Sequence, residues 1–400
     1  MVYVAEADEI IKGQLRTYGT EAIRFEQALG RVLAEDIVAD RDLPPYNRVT
    51  MDGIAISFAA FEQGVTSFRI IATQAAGDVP PVTSAIDECV EIMTGAALPA
   101  TTDTVIRYED LEIKDGIATV QTKNITRGQS IHHKGKDKKQ GDIVIAANQV
   151  VTPAIVSMLA SSGYTNVQVK KQPWIVIIST GDELVEVGET PSPYEVRRSN
   201  NYTVKAILQQ HHLTADMLHL RDEPVVIKEK LQACLQQYDI IILSGGISMG
   251  KFDFVPVVLE ELNVKKLFHK VRQRPGNPFW FGAHENGTLV FALPGNPVST
   301  FMCTQRYFVP WYRASMGIEL PVAYAVLDND ITFTPALQYF VQVKLSFNNQ
   351  GHLLASTIEG NGSGDFANLT EADAFMELPL ERNDFKKGEV YRVWPFKQIM

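Results

Sequence analysis

The chain is poor in cysteine. Its three residues, Cys89, Cys234 and Cys303, lie far apart and form no CxxC or HxxxC pattern. A disulfide framework and a thiolate metal cluster are thereby excluded, and reduced, buried thiols of a reducing compartment are expected. No apolar run approaches the roughly 20 residues that a membrane-spanning helix requires. The first residues, Met1-Val2-Tyr3-Val4-Ala5-Glu6-Ala7-Asp8, carry neither a basic flank nor an apolar signal core. A cytoplasmic protein without membrane association follows as the expectation. An excess of positive charge is also missing: the net charge is −10, which argues against general nucleic-acid binding but permits a locally basic pocket. There is no internal repeat, and the paired His132-His133 lies in a Lys-rich stretch without partner ligands, so an exposed basic loop is expected there rather than a metal site.

What is present is a pattern that occurs three times. An apolar strand without alternation runs into a turn of Gly, Pro and small polar residues, and a helix follows. The three are Trp174–Ser179 into Thr180-Gly181-Asp182-Glu183, Asp239–Leu243 into Ser244-Gly245-Gly246-Ile247-Ser248-Met249-Gly250, and Thr288–Leu293 into Pro294-Gly295-Asn296-Pro297. Such strands belong to a parallel sheet covered on both faces, and ligands bind at the carboxyl ends of its strands.

With 400 residues, more than one core is needed. The N-terminal stretch reads as an amphipathic helix over Ala5–Leu15. Short strands with turn signals from Phe68 to Ile145 indicate a β-rich domain, and Thr152-Pro153 opens a helix. From Lys171 strands and helices alternate, which predicts a doubly wound α/β domain. Its helix opened by Pro224 should bury Ile227, Leu231, Cys234 and Leu235. The helix from Pro297 should be interrupted near Pro310. Beyond Glu319 alternating segments around Asn349-Gln350-Gly351 predict a small β-barrel or sandwich.

Individually the motifs carry two readings each. Ser244-Gly245-Gly246 with Ser248 suits either an anion cradle or a tight turn that needs small residues, and it is neither GxGxxG nor GxxxxGK(S/T). Asp182, Glu183, Asp222 and Asp253 follow strands or open helices, where acids also act as caps; converging, they make a hard-cation site of the kind Mg²⁺ takes. Asn296 is expected to cap the helix begun by Pro297, with Ser299 in its first turn. Lys270, Arg272 and Arg274 alternate along what reads as an extended segment, either a solvated edge strand or an oxyanion clamp. Arg197 and Arg198 precede Ser199-Asn200 in the same manner, and Met51-Asp52-Gly53 alone is an Asp-Gly turn.

The ordered set is more specific than its members. Leu43-Pro44-Pro45-Tyr46 with Met51-Asp52-Gly53, Met93-Thr94-Gly95 with Leu98-Pro99, Glu109-Asp110, Ser179-Thr180-Gly181-Asp182-Glu183-Leu184, Ser244-Gly245-Gly246-Ile247-Ser248 with Asp253, and Leu293-Pro294-Gly295-Asn296-Pro297-Val298-Ser299 resemble the molybdopterin molybdenumtransferase family along essentially the whole chain. The α/β motifs are shared with molybdopterin adenylyltransferases and CinA-like proteins; the Met51-Asp52-Gly53 and Thr94 segments are not.

The resemblance implies a homodimer with a four-part subunit: an elongated domain over residues 1–42 and 143–170, an inserted β-rich domain over 43–142, an α/β domain over 171–318 and a C-terminal β-barrel over 319–400. It implies Mg²⁺-dependent insertion of molybdate into adenylylated molybdopterin with release of AMP. Carried over, its acidic and hydroxyl positions fall on Asp52, Thr94, Asp137, Glu183, Asp222 and Asp253, and its basic ones on Lys270 and Arg274. Substrate and phosphate contacts are expected from Thr180, Gly181, Asp182, Asn200, Ser244, Gly245, Gly246, Ser248, Pro294, Gly295, Asn296, Pro297 and Ser299. Asp182, Asp222 and Asp253 are the expected metal ligands, and other cofactor-biosynthesis proteins the expected partners. The alternatives are the adenylyltransferase step itself or a non-catalytic scaffold like gephyrin. The chain departs from the family at Val49 (usually Ser), Ile54 (usually aromatic), Lys136 (usually acidic), Arg274 (usually Lys) and Asn277, where Pro-Gly-Lys-Pro is common.

Overall fold

A computed structural model describes residues 1–247, 254–319, 321–358 and 366–397. The chain forms two compact units, one of Met1–Glu21, Gly30–Val32 and Gln168–Met400, the other of Ala22–Leu29 and Leu33–Val167. No helix among the described residues is long and apolar enough to cross a membrane.

The larger unit contains the α/β sheet. Its elements are β1 (Ile175–Thr180), α1 (Asn200–Gln210), β2 (Asp216–Leu220), α2 (Pro224–Gln237), β3 (Ile240–Ser244), α3 (Val255–Glu261), β4 (Lys265–His269), β5 (Trp280–Ala283), β6 (Leu289–Leu293) and α4 (Pro297–Cys303). The spatial order is β2-β1-β3-β6-β5-β4. The first four strands are parallel, and β5 and β4 extend the edge antiparallel. Every residue of β1, β3 and β6 is buried, which is why these strands show no alternation. The side chains that α2 buries are the four expected from its spacing, Ile227, Leu231, Cys234 and Leu235. They join one core with Val176, Ile178, Ile241 and Val290.

After α4 the helix continues through a wide π turn, Thr304–Phe308, into α5 (Val309–Ser315). The interruption predicted near Pro310 takes this form because proline has no N–H to donate back one turn.

A closed five-stranded barrel follows, formed by Ala323–Leu327, Gln338–Phe347, Leu353–Thr357, Ala374–Leu378 and Val390–Pro395. Phe333, Val343, Met376 and Phe385 fill it. Lys270–Arg274 is not the simple extended run expected. Lys270 has a left-handed backbone, φ 71°, and only Gln273–Arg274 is strand, paired parallel with Gln338–Tyr339 of the barrel. The three cations are therefore not aligned on one face: Arg272 donates to the Tyr3 hydroxyl at 2.8 Å, whereas Arg274 lies 6.0 Å above the Phe333 ring.

In the smaller unit six strands form one sheet in the order Thr104–Arg107, Gly53–Ile56, Glu88–Ile92, Ser67–Gln74, Ile117–Val120, Leu111–Lys114. Thr152 caps the helix Pro153–Ser161 by accepting from the Ile155 N–H. All three cysteines are free and buried.

Candidate active site

The carboxyl ends of β1, β3 and β6 approach so closely that only glycine fits between them. Gly245 and Gly246 both have positive φ, 97° and 67°. A Cβ on Gly245 would lie 2.8 Å from the Thr180 carbonyl oxygen, and one on Gly246 2.6 Å from Thr180 Oγ1. A Cβ on Gly295, from the third loop, would touch Gly245 Cα at 3.5 Å. The three small-residue loops thus meet. Gly245 donates its own N–H to Leu293 O at 3.2 Å, so it serves the loop junction rather than a ligand.

Asn200, the first residue of α1, fixes this junction. Its amide donates to Ser244 Oγ at 2.8 Å and to the Gly295 carbonyl at 2.7 Å. Behind it, Thr300 Oγ1 lies 3.3 Å from Ser244 Oγ and donates to Pro294 O at 2.5 Å. Asn296 caps α4 as expected, accepting from the Ser299 N–H at 3.4 Å.

These loops wall a cleft of about 750 Å³ that Glu183, Arg197, Arg198, Asp222, Gly246 and Pro297 also line. Two buried polar atoms at its wall, Thr180 Oγ1 and Asn201 Oδ1, have no hydrogen-bond partner among the described residues. Thr180 and Asn201 are each 3% exposed. Unpaired polar atoms so deep are costly, and a polar ligand would relieve that cost.

Beside this cleft a smaller one is lined by Asp182, Glu186, Glu195, Arg198 and His219. Asp182 accepts the Asp222 N–H at 3.2 Å, bringing two of the expected metal ligands together. Arg198 is ion-paired with Glu186. Among the described residues no group of three or more His, Cys, Asp or Glu side chains forms a metal site. Ser248 and Asp253 lie outside the described residues.

Sequence reasoning missed a polar group beneath the cleft floor. Ser179 Oγ lies 3.0 Å from His219 Nδ1 and accepts from the Asn201 amide at 3.1 Å. Burial pushes the His219 pKa down, with Arg198 adding to the effect, so the ring is neutral near pH 7. One signal for this pair was available: Ser179 and His219 are polar residues on apolar strands, and they fall opposite each other in the β1–β2 register.

In the smaller unit Asp52 precedes the strand Gly53–Ile56, and Thr94 follows its neighbour Glu88–Ile92. Gly53 is required there, since a Cβ would lie 1.9 Å from the Ile106 carbonyl oxygen. Thr94 donates both its N–H, at 2.6 Å, and its hydroxyl, at 2.7 Å, to Asp52 Oδ1. The Asp-Gly turn is thus tied to Thr94. Asp137 lies 2.8 Å from His132 Nε2, and His132 Nδ1 is 3.2 Å from Arg48. Lys270 and Arg274 are not among the residues lining either cleft.

The Thr94 hydroxyl, and then its N–H, lower the Asp52 pKa below the ordinary carboxylate value. These bonds favour the ionised form, so their contribution is complete above the unfolded pKa and fades as pH falls through the lowered folded one. Thr94→Val removes the larger cause and keeps the N–H. The Asp52 carboxyl pKa, followed by carbon NMR, is expected to rise toward the ordinary value; an unchanged midpoint would contradict the assignment.

Three family patterns match consecutive parts of the chain: MoeA N-terminal region (domain I and II) over residues 2–163, a probable molybdopterin binding domain over 176–314, and MoeA C-terminal region (domain IV) over 324–396. A molybdopterin molybdenumtransferase of Synechocystis sp. is 39% identical over 396 residues, 98% of this chain and 99% of its own. One from Staphylococcus epidermidis is 30% identical, over 93% of this chain and 90% of its own. Among solved structures, the molybdopterin biosynthesis MoeA protein from Pyrococcus horikoshii superposes with a TM-score of 0.83 at 27% identity, covering 100% of both chains.

Proposed function

The chain belongs to the molybdopterin molybdenumtransferase family, and on that premise we propose that its cleft at the β1, β3 and β6 ends takes adenylylated molybdopterin. Molybdate would be joined to the dithiolene sulfurs while the adenylate phosphoanhydride is cleaved, giving molybdenum cofactor and AMP. The single observation that supports this most is the junction around Asn200, which holds the loop ends against a cleft with two unpartnered buried polar atoms. Its cationic wall, Arg197 and Arg198, suits phosphate oxygens. Lys270 and Arg274, outside that lining, keep in this proposal the oxyanion role that the resemblance gives them. Catalysis rests on positioning and on stabilising developing charge.

The residues present suit Mg²⁺. Asp182 and Asp222 adjoin at the strand ends, and this ion prefers one or two carboxylates completed by water and substrate phosphates. When bound, it would neutralise phosphate charge. With so few protein ligands among the described residues, Mg²⁺ titrated into the free enzyme is expected to bind only in the millimolar range. Affinity should rise at least tenfold with adenylylated molybdopterin present. Tight binding to the free protein by calorimetry would argue for a preformed cage instead.

The remaining parts of the proposal are a homodimer, the four-part division at residues 43, 143, 171 and 319, and a cytoplasmic location consistent with three free thiols. Other cofactor-biosynthesis proteins are proposed partners. The experiment is direct. Purified protein with adenylylated molybdopterin, Mg²⁺ and molybdate is expected to release AMP and yield cofactor that activates an apo-molybdoenzyme. ATP consumption with free molybdopterin would point to the adenylyl step. Absence of AMP release and of active cofactor would overturn the reading.

A further inference from the structure

A second cavity, of about 840 Å³, lies at the other end of α1 from Asn200. Eleven helical residues separate the two by roughly 16 Å along the axis. The cavity is formed by Gln210 and His211 at the α1 end, by Gln305 and Arg313 from the last helix, and by Arg392, Trp394 and Lys397 at the end of the barrel.

Its charge is unbalanced. Arg313, Arg392 and Lys397 line it, and no Asp or Glu does among the described residues. Arg313 Nε is fully shielded and has no hydrogen-bond partner among the described residues. Among the described residues neither Arg313 nor Arg392 forms an ion pair; Arg392 lies 3.9 Å above the Trp394 ring. Lys397 is partly compensated by Asp373 at 3.3 Å. Burial pushes the pKa of both guanidiniums down, and it pushes His211 down to about 4, with Arg313 adding to it, so the ring brings no further charge near pH 7. Glu377, opposite Arg392 in the barrel, and Asp8 offset part of the burial cost of Arg392, whereas no carboxylate acts on Arg313 among the described residues, and a partly desolvated cation so placed is expensive. Guanidinium forks match planar or tetrahedral oxyanions, while Phe396, Val309 and Pro310 offer apolar surface that a bare ion would not need. The volume falls within the range of small-molecule sites.

We propose that this cavity is a second ligand site, taking a small organic anion whose phosphate or carboxylate meets Arg313 and Arg392 and whose apolar body lies against Phe396 and Val309. The proposal is independent of the reaction assigned to the strand-end cleft.

Thermal unfolding and calorimetry of the full chain with phenyl phosphate, benzoate and inorganic phosphate test it. Phenyl phosphate or benzoate is expected to raise the wild-type Tm progressively, and which of the two does so identifies the anionic group; inorganic phosphate should act more weakly than phenyl phosphate. Arg313→Gln is expected to weaken binding at least tenfold while its ligand-free Tm stays at or above that of wild type, because an unpaired cation has been removed. A purely structural arginine would give the opposite: a lower Tm and an unchanged ligand response. Lys397→Gln, an exposed change, should weaken binding several-fold. No wild-type response to any probe, or equal responses in wild type and both variants, overturns the proposal.

Discussion

Asp8→Ala is expected to destabilise the larger unit by about 3–5 kcal/mol, the cost of leaving a buried charge unpaired. Arg306 is 4% exposed. Its two terminal nitrogens donate to the two Asp8 oxygens at 2.7 Å each. Glu377 is 3.6 Å away, and the Trp394 ring centroid lies 4.1 Å from the guanidinium carbon. Burial alone would lower the Arg306 pKa, but the hydrogen bonds it donates to Asp8, with nearby negative charge, more than reverse this. Removing Asp8 leaves Glu377 at longer range and the aromatic face, which offset only part of the loss. The double change Asp8→Leu with Arg306→Met should cost less than Asp8→Ala alone, since the buried cation goes with its partner and Glu377 keeps the Trp394 and Gln338 donors. Urea unfolding measures both. A loss below about 1 kcal/mol for Asp8→Ala would mean that water or a neighbouring group reaches Arg306.

The second large effect concerns turnover. Asn200→Ala removes the donors to Ser244 Oγ and the Gly295 carbonyl, and leaves Thr300, from α4, to join the β3 end to the β6 loop. Misplacement by about 1 Å at a reacting centre costs on the order of 100-fold. AMP release should therefore fall about 100-fold, while stability falls by only about 1–3 kcal/mol. Asn200→Asp keeps the size and can accept from the Ser244 hydroxyl, but it sets a carboxylate against the acceptor-only Gly295 carbonyl and should be no better. Activity within threefold of wild type, in a variant with unchanged circular dichroism, would remove Asn200 from the machinery.

How far the sequence disclosed this arrangement depends on where each residue's partners lie. Ile175–Thr180, Ile240–Ser244 and Leu289–Leu293 were legible because both faces are covered and the chain spells this out as unbroken apolar runs. The buried stripe of α2 was legible because its period is local. The edge strand Lys265–His269 was not: Lys265 and Lys266 are exposed, and its partner comes later in the chain. The Arg306–Asp8 pair joins residues 298 positions apart, and no local pattern announces such a partner. The bend at Lys270 escaped notice because lysine rarely adopts a positive φ. In the site, glycines and prolines marked the loops, whereas Ser179, Asn201 and His219 looked like ordinary strand and helix residues until the β1–β2 register set them side by side.

The wide turn at Thr304–Phe308 also fixes angular phase. Each residue of ordinary helix advances the winding by about 100°, so accommodating one extra residue shifts the facing of everything after it. Trp311 donates its indole N–H to Gln14 O at 2.9 Å and packs tilted against Phe291, ring centroids 5.5 Å apart. A single-residue deletion within the turn would restore regular winding yet rotate Trp311 and Tyr312 away from their partners. Length at this point is therefore constrained in its own right, apart from the side chains that the turn carries.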